Sequence, residues 1–209
     1  MRLILAGATG LVGRHVLALA LAEPRVDQVI APTRRALPAR PKLLAPIVDF
    51  DRLPGDADWW RADAFVCALG TTMKTAGSRD AFRRVDHDYP LTMAQHAHRH
   101  GTPACALNSA MGADADARVF YNRVKGELEC GLRAVGFRSL TLVRPGLIGG
   151  DRDEHRTGEH IAGLVLRALH PVLPPRWRIS PAPHIAQALL DAALDAPDGV
   201  HVVDSAALA

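Results

Sequence analysis

Short apolar runs alternate with longer stretches whose apolar residues recur every three or four positions, and this alternation continues through most of the 209 residues. Runs at 2–6, 28–32, 46–49, 64–69, 103–108 and 139–144 predict strands, with a last one at 200–203. Helical spacing predicts helices at 11–22, 79–100, 118–135, 159–170 and 184–194; in the first, Leu11, Val12, His15, Val16 and Leu19 share a face. Gly101 and Gly136 follow two of these helices and serve as stops. Strands that are apolar throughout, separated by amphipathic helices, predict an α/β fold: a Rossmann-like doubly wound parallel sheet of about six or seven strands with helices on both faces. One domain over 1–209 suits the length, with 151–209 as a small substrate-side cap. Residues 32–46 hold four prolines and read as an exposed loop, and 171–183 is a second proline-rich stretch.

Composition adds mostly exclusions. Apolar residues at 48% and charged residues at 22% are ordinary globular usage, which argues against disorder. The net charge of +3 comes without a long basic run, so no nucleic-acid partner is expected. Nor is a membrane partner, because no apolar stretch approaches a span and the N-terminal run is too short for a signal peptide. Cys67, Cys105 and Cys130 are odd in number and form no C-x-x-C, which points away from disulfides and zinc and toward a cytoplasmic location. His96 and His100 lie at i and i+4 without the glutamate of a zinc helix, so they read as a solvated helix end and no metal site is expected.

The first candidate chemistry is LILAGATGLVGRHV, a strand, a glycine turn and a helix in immediate succession. Gly7, Gly10 and Gly13 let the backbone approach a pyrophosphate, and Ala8, Thr9, Leu11 and Val12 complete a turn whose helix aims free N–H groups at it. After the second strand comes IAPTRRALP, with no carboxylate for a ribose 2′-hydroxyl but with Arg34 and Arg35 placed to meet a 2′-phosphate. NADP(H) is therefore favoured over NAD(H). Asp49 in VDFD is a candidate for the adenine amino group, and Leu69, Gly70, Thr71 and Thr72 end the fourth strand where a cofactor docks.

Ser109 ends the fifth strand, and Tyr121 and Lys125 follow twelve and sixteen residues later as Y-x-x-x-K. In this order the chain resembles the short-chain dehydrogenase/reductase superfamily over nearly its whole length. The blocks CALGTTMKTAGSRDAFRRVDHDYP, NSAMGAD, YNRVKGELE and LVRPGLIGGDR look like the atypical branch that contains the Tat-interacting oxidoreductases and their bacterial relatives. The resemblance implies that Tyr121 is the general acid or base for a small carbonyl or alcohol substrate. A free phenol titrates near ~10, so Lys125 one turn on would favour the phenolate, and it would also bond the nicotinamide ribose. Ser109 would orient the substrate oxygen, although Ala110 replaces the branch's usual second serine. Arg144, Pro145 and Gly146 match an R-P-G that passes the nicotinamide amide, and Met111, Gly112 and Arg144 would face the substrate. A homodimer is compatible with the family's habit of pairing through flanking helices. Two other classes stay open: an NADP(H)-sensing interaction protein, motivated by Ala110 and the small cap, and a nucleotide-sugar epimerase or dehydratase sharing the turn and the dyad.

Overall fold

The structure, a computed structural model, describes residues 1–149 and 179–209. Expectations for the helix at 159–170 and for most of the second proline-rich stretch lie outside the described residues.

Strand β1 (Arg2–Ala6) shows how the sheet is built, because every residue from Leu3 to Ala6 is fully buried. Successive side chains leave a strand on opposite faces. Leu3 and Leu5 accordingly join one core, and Ile4 and Ala6 the other. A strand apolar from Leu3 to Ala6, in the middle of a two-sided sandwich, follows directly.

Helix α1 (Leu11–Ala22) returns the chain to β2 (Gln28–Ile30), and β3 (Leu43–Leu44) follows. Beyond these come β4 (Ala64–Cys67), the short α2 (Met73–Ala76) and α3 (Arg79–Arg83), which runs through a π-turn (Arg84–Asp88) into α4 (Tyr89–Arg99). Strand β5 (Ala104–Asn108), helix α5 (Phe120–Val135) and β6 (Ser139–Arg144) precede the two-residue β7 (Ile148–Gly149), β8 (Ser180–Pro181), α6 (Ala182–Asp195) and β9 (Gly199–Asp204).

Seven parallel strands form one sheet in the order β3-β2-β1-β4-β5-β6-β9. Helices α1 and α6 cover one face through Val12, Val16, Ile185 and Leu189. The other face is covered by α4 and α5 through Met93, Ala97, Leu128 and Leu132, each Leu contributing about 1.5–3 kcal/mol by burial. Winding reverses between β1 and β4, so their carboxyl ends open a crevice at the switch point. Gly101 and Gly136 stand at φ 90° and 86°, the left-handed turn that ends α4 and α5.

Three expectations are corrected. The third strand pairs at Leu43 and Leu44, not at 46–49, and therefore falls inside the region read as loop. Pro46 has no N–H, and past it only the single bridge Thr33 to Ile47 forms, with Ile47 65% exposed at the sheet edge. The helix expected at 79–100 is interrupted by the π-turn. Of the 151–209 segment, the described residues 179–209 lie in the body of the sandwich: α6 packs on α1, and β9 pairs with β6 along its whole length.

Candidate active site

At the crevice, Gly7 adopts φ +83°, and a Cβ there would stand 2.6 Å from the Leu69 backbone nitrogen. A Cβ on Gly13 would meet the Gly7 carbonyl oxygen at 1.9 Å, so helix and turn are in backbone contact. Gly10 differs: its nearest neighbour would be Gly7 O at 3.4 Å, and its outer side is open. The Gly10 N–H donates to Gly7 O at 3.0 Å, closing the turn. No side chain caps α1, whose first N–H groups are left to an outside acceptor. Ala8 and Val12 are buried in the core and anchor the turn, Leu11 is half-buried, and Thr9 is exposed. Close backbone, open space at Gly10 and uncapped donors together fit a dinucleotide's pyrophosphate.

Arg34 and Arg35 follow β2 on an exposed turn that is tied by Thr33 Oγ1 donating to the Arg35 carbonyl at 2.6 Å. Neither arginine forms an ion pair with a described residue. Asp49 is exposed, and its Oδ1 accepts from the Asp51 N–H at 3.0 Å. Leu69 lines the inner wall, while Thr72 spends its hydroxyl capping α2 by accepting from the Thr75 N–H at 3.1 Å. The Thr71 N–H is engaged as well, donating to Asp86 Oδ2 at 2.7 Å.

Tyr121 lies on the first turn of α5 and is 37% exposed, its ring 5.7 Å from that of Phe82. One turn on, Lys125 is buried, and its Nζ lies 2.8 Å from Asp86 Oδ1, itself only 1% exposed. Gly70 covers the pair: a Cβ there would fall 3.2 Å from Asp86 Oδ1 and 3.8 Å from Lys125 Nζ. Burial alone would lower the ammonium's pKa. The Asp86 carboxylate, followed by Tyr121, outweighs it and holds the group above its ordinary value. Beneath the pair, burial pushes the Cys67 thiol up to about 11, which leaves it an inert packing residue.

Ser109 is buried, and its hydroxyl donates to Glu129 Oε1 at 2.5 Å. Glu129, on the turn of α5 after Lys125, is held in turn by Arg144, whose Nε and Nη2 donate to its two oxygens at 2.9 and 2.5 Å. The structure thus brings Tyr121 and Lys125 together but directs Ser109 and Arg144 to a carboxylate. Met111 N–H donates to the Pro145 carbonyl at 2.8 Å, and Gly146 N–H to Ser180 Oγ at 3.2 Å, so these loops brace one another at the strand ends. Gly112, at φ +76°, leaves room for Asn122, whose Nδ2 would be 2.9 Å from a Cβ. Asn108 Oδ1, beside Ser109, is buried and has no partner among the described residues. Among the described residues, a cleft of about 390 Å³ lies between α4 and α5, and one of about 410 Å³ lies beside Tyr89, lined by Phe50, Asp51 and Arg84.

Sequence reasoning missed Asp86 and Glu129. Both left a signal, a carboxylate on the apolar face of its helix: Asp86 in phase with Phe82 and Pro90, and Glu129 beside Leu128 and Leu132. The helical histidines are accounted for by packing, since His96 stacks on Trp60 and His100 Nδ1 bonds the His96 carbonyl at 2.8 Å.

Comparison with known proteins gives this geometry a lineage. The Emericella nidulans protein fmp52, mitochondrial, is 36% identical over 211 residues, spanning 93% of this chain and 88% of the relative. The chain belongs to the FMP52 family. FMP52 of Candida albicans is 31% identical over 175 residues, covering 79% of this chain and 75% of its own. These relatives are named as mitochondrial, which overturns the cytoplasmic location expected from the cysteines. A reduced thiol count does not separate the two compartments. No protein-family model matches the chain.

Among solved structures, MoeE5 in complex with UDP-glucose and NAD superposes with a TM-score of 0.73 at 16% identity, over 97% of this chain and 75% of that one. WbmH of Bordetella bronchiseptica, in complex with NAD+, gives 0.70 at 15% identity over 98% and 75%. The oxidoreductase ylbE of Lactococcus lactis gives 0.59 at 20% identity over 76% and 73%. At these identities the likeness establishes the fold. This FMP52-family chain shares with them the Rossmann-like sandwich, a parallel sheet covered by helices on both faces.

Proposed function

We propose that this FMP52-family protein is an NADP(H)-dependent oxidoreductase that interconverts a small carbonyl compound and its alcohol, with Tyr121 as the general acid or base. One observation carries the reading: a partly exposed phenol stands one helical turn from a buried, charged lysine at the carboxyl edge of a switch-point crevice. The relation to the Tat-interacting oxidoreductases, drawn from the sequence blocks, supports the same reaction class.

In the reducing direction Tyr121 Oη donates its proton to the substrate oxygen, and in the reverse direction it takes the proton back. The nicotinamide, when bound, supplies or accepts the hydride at the substrate carbon. Lys125, one helical turn on, would bond the nicotinamide ribose. The turn at Gly7 to Gly13 would hold the pyrophosphate, Arg34 and Arg35 the 2′-phosphate, and Asp49 the adenine, while Leu69, Thr71, Thr72, Pro145 and Gly146 would border the nicotinamide half. Ser109 has one proton to give. While it donates to Glu129 it can only accept, so orienting a substrate oxygen requires its hydroxyl to rotate away from that carboxylate.

The same Ser109 to Glu129 bond, with Ala110 in the second serine's place, favours one other reading: an NADP(H)-binding regulator with little turnover. Tyr121→Phe separates the two. Under the oxidoreductase reading it abolishes NADPH-dependent turnover over a panel of aldehydes and ketones and leaves NADPH affinity nearly intact. Turnover that survives the substitution removes Tyr121 from the chemistry. A wild-type protein that turns over nothing on the panel and binds a partner in an NADPH-dependent way establishes the regulator.

A further inference from the structure

We infer that Asp86 is the positioning residue of the dyad, a carboxylate that fixes the Lys125 ammonium beneath the Gly70 turn and ties it to the cofactor wall through Thr71. Its positioning role rests on the oxidoreductase reading; the pairing itself does not.

An ionised carboxylate on the buried face of a helix is unfavourable unless it is both paired and hydrogen-bonded. Phe82, Asp86, Pro90, Met93, Ala94 and Ala97 form that buried face here. Asp86 meets both conditions, because Oδ1 takes the Lys125 ammonium at 2.8 Å and Oδ2 takes the Thr71 N–H at 2.7 Å. The π-turn at Arg84–Asp88 widens the helix where this carboxylate must reach across to α5. Such turns are inserted at a cost in helix geometry and recur at functional sites.

Three groups act on Lys125 from the elements around it: Asp86 from the π-turn, Tyr121 from its own helix and Cys67 from β4. Burial is the largest influence and works to discharge the ammonium; Asp86 is the largest influence opposing it. Without Asp86 the lysine would lose the partner that both orients it and keeps it charged. Lys125 and the Leu69 to Thr71 wall are therefore one mechanical unit, with Asp86 at the joint. A second consequence concerns Thr71. Its N–H is already taken, so any hydrogen bond it donates to a cofactor comes from its side chain.

Asp86→Asn tests this, because it keeps the shape and an oxygen for the Thr71 N–H and removes the charge. In the full-length protein, the Lys125 ammonium followed by NMR titration should lose its proton at lower pH than in the wild type. The pH profile of kcat/KM should differ from that of the wild type, while NADPH affinity changes less than kcat. A Lys125 resonance that titrates as in the wild type overturns the proposal. If Asp86→Asn does not fold, the comparison passes to Lys125→Met and Asp86→Asn/Lys125→Met. The double variant, free of buried charge, should melt higher than Lys125→Met; a lower Tm shows an independent structural role for Asp86 and overturns the proposal. Neither titration nor melting requires turnover, so an inactive wild type removes the oxidoreductase reading while the pairing is still decided.

Discussion

The Ser109 hydroxyl points at Glu129, not at Tyr121: it donates to Oε1 at 2.5 Å, and both residues are buried. Arg144 grips the same carboxylate with two N–H donors. Strand β5, helix α5 and the end of β6 are thereby fastened at one acid on the floor of the site.

Removing that acid should be expensive. Glu129→Ala strands the Arg144 guanidinium and a buried hydroxyl donor at once. Arg144 keeps 27% of its side chain in solvent, which moderates the penalty, and the expected loss is about 2–3 kcal/mol in urea unfolding. A loss under about 1 kcal/mol would mean that the pair behaves as an exposed one.

The turn makes a sharper test, because two of its glycines differ in what surrounds them. Gly13→Ala forces a Cβ into the Gly7 carbonyl and should cost about 1–3 kcal/mol or more by overpacking, visible as a lower Tm. Gly10→Ala meets nothing closer than 3.4 Å and should stay within about 1 kcal/mol of the wild type. Its methyl faces the space proposed for the pyrophosphate, so NADPH binding should weaken by roughly tenfold or more. Undiminished affinity in Gly10→Ala would place the cofactor elsewhere.

This turn was also the most legible part of the chain. β1 and α1 fall where the pattern puts them because strand, glycines and helix are contiguous, and each is decided by its own residues. The third strand was misplaced for a local reason: the Leu43 to Leu44 pair is hidden among prolines that resemble a loop. Asp86 was missed for a non-local one. Its partners arrive from β4's end and from α5, and only the folded sheet brings these together.

Cofactor preference should follow the two arginines after β2. Replacing both, as Arg34→Ser/Arg35→Ser, should weaken NADPH binding by about tenfold to a hundredfold, the value of charge-assisted bonds to a phosphate. NADH binding, measured by the same calorimetric titration, should not change. An equal loss for both nucleotides would assign the arginines to the fold.

His96 should confer an acid sensitivity. Burial against Trp60, then Arg99 and His100, lowers its pKa below the ordinary 6.5, and its Nδ1 has no partner among the described residues. A group whose folded pKa is depressed contributes stability that is present above the unfolded value and is lost as pH falls through the folded one. Tm should therefore decline as pH drops below about 6.5, and His96→Asn should flatten that decline. A slope unchanged in His96→Asn would assign it to other groups.

The π-turn has a last consequence. It is one residue wider than the α-helix on either side, so the segment from Arg79 to Arg99 is built in two phases. Deleting one residue within it would let the whole segment relax into a regular helix, yet would swing Asp86 off Lys125. Sequence drift toward a more regular helix here would thus improve local helix geometry while leaving Lys125 buried without its carboxylate, so at this turn backbone regularity and the buried pair pull in opposite directions.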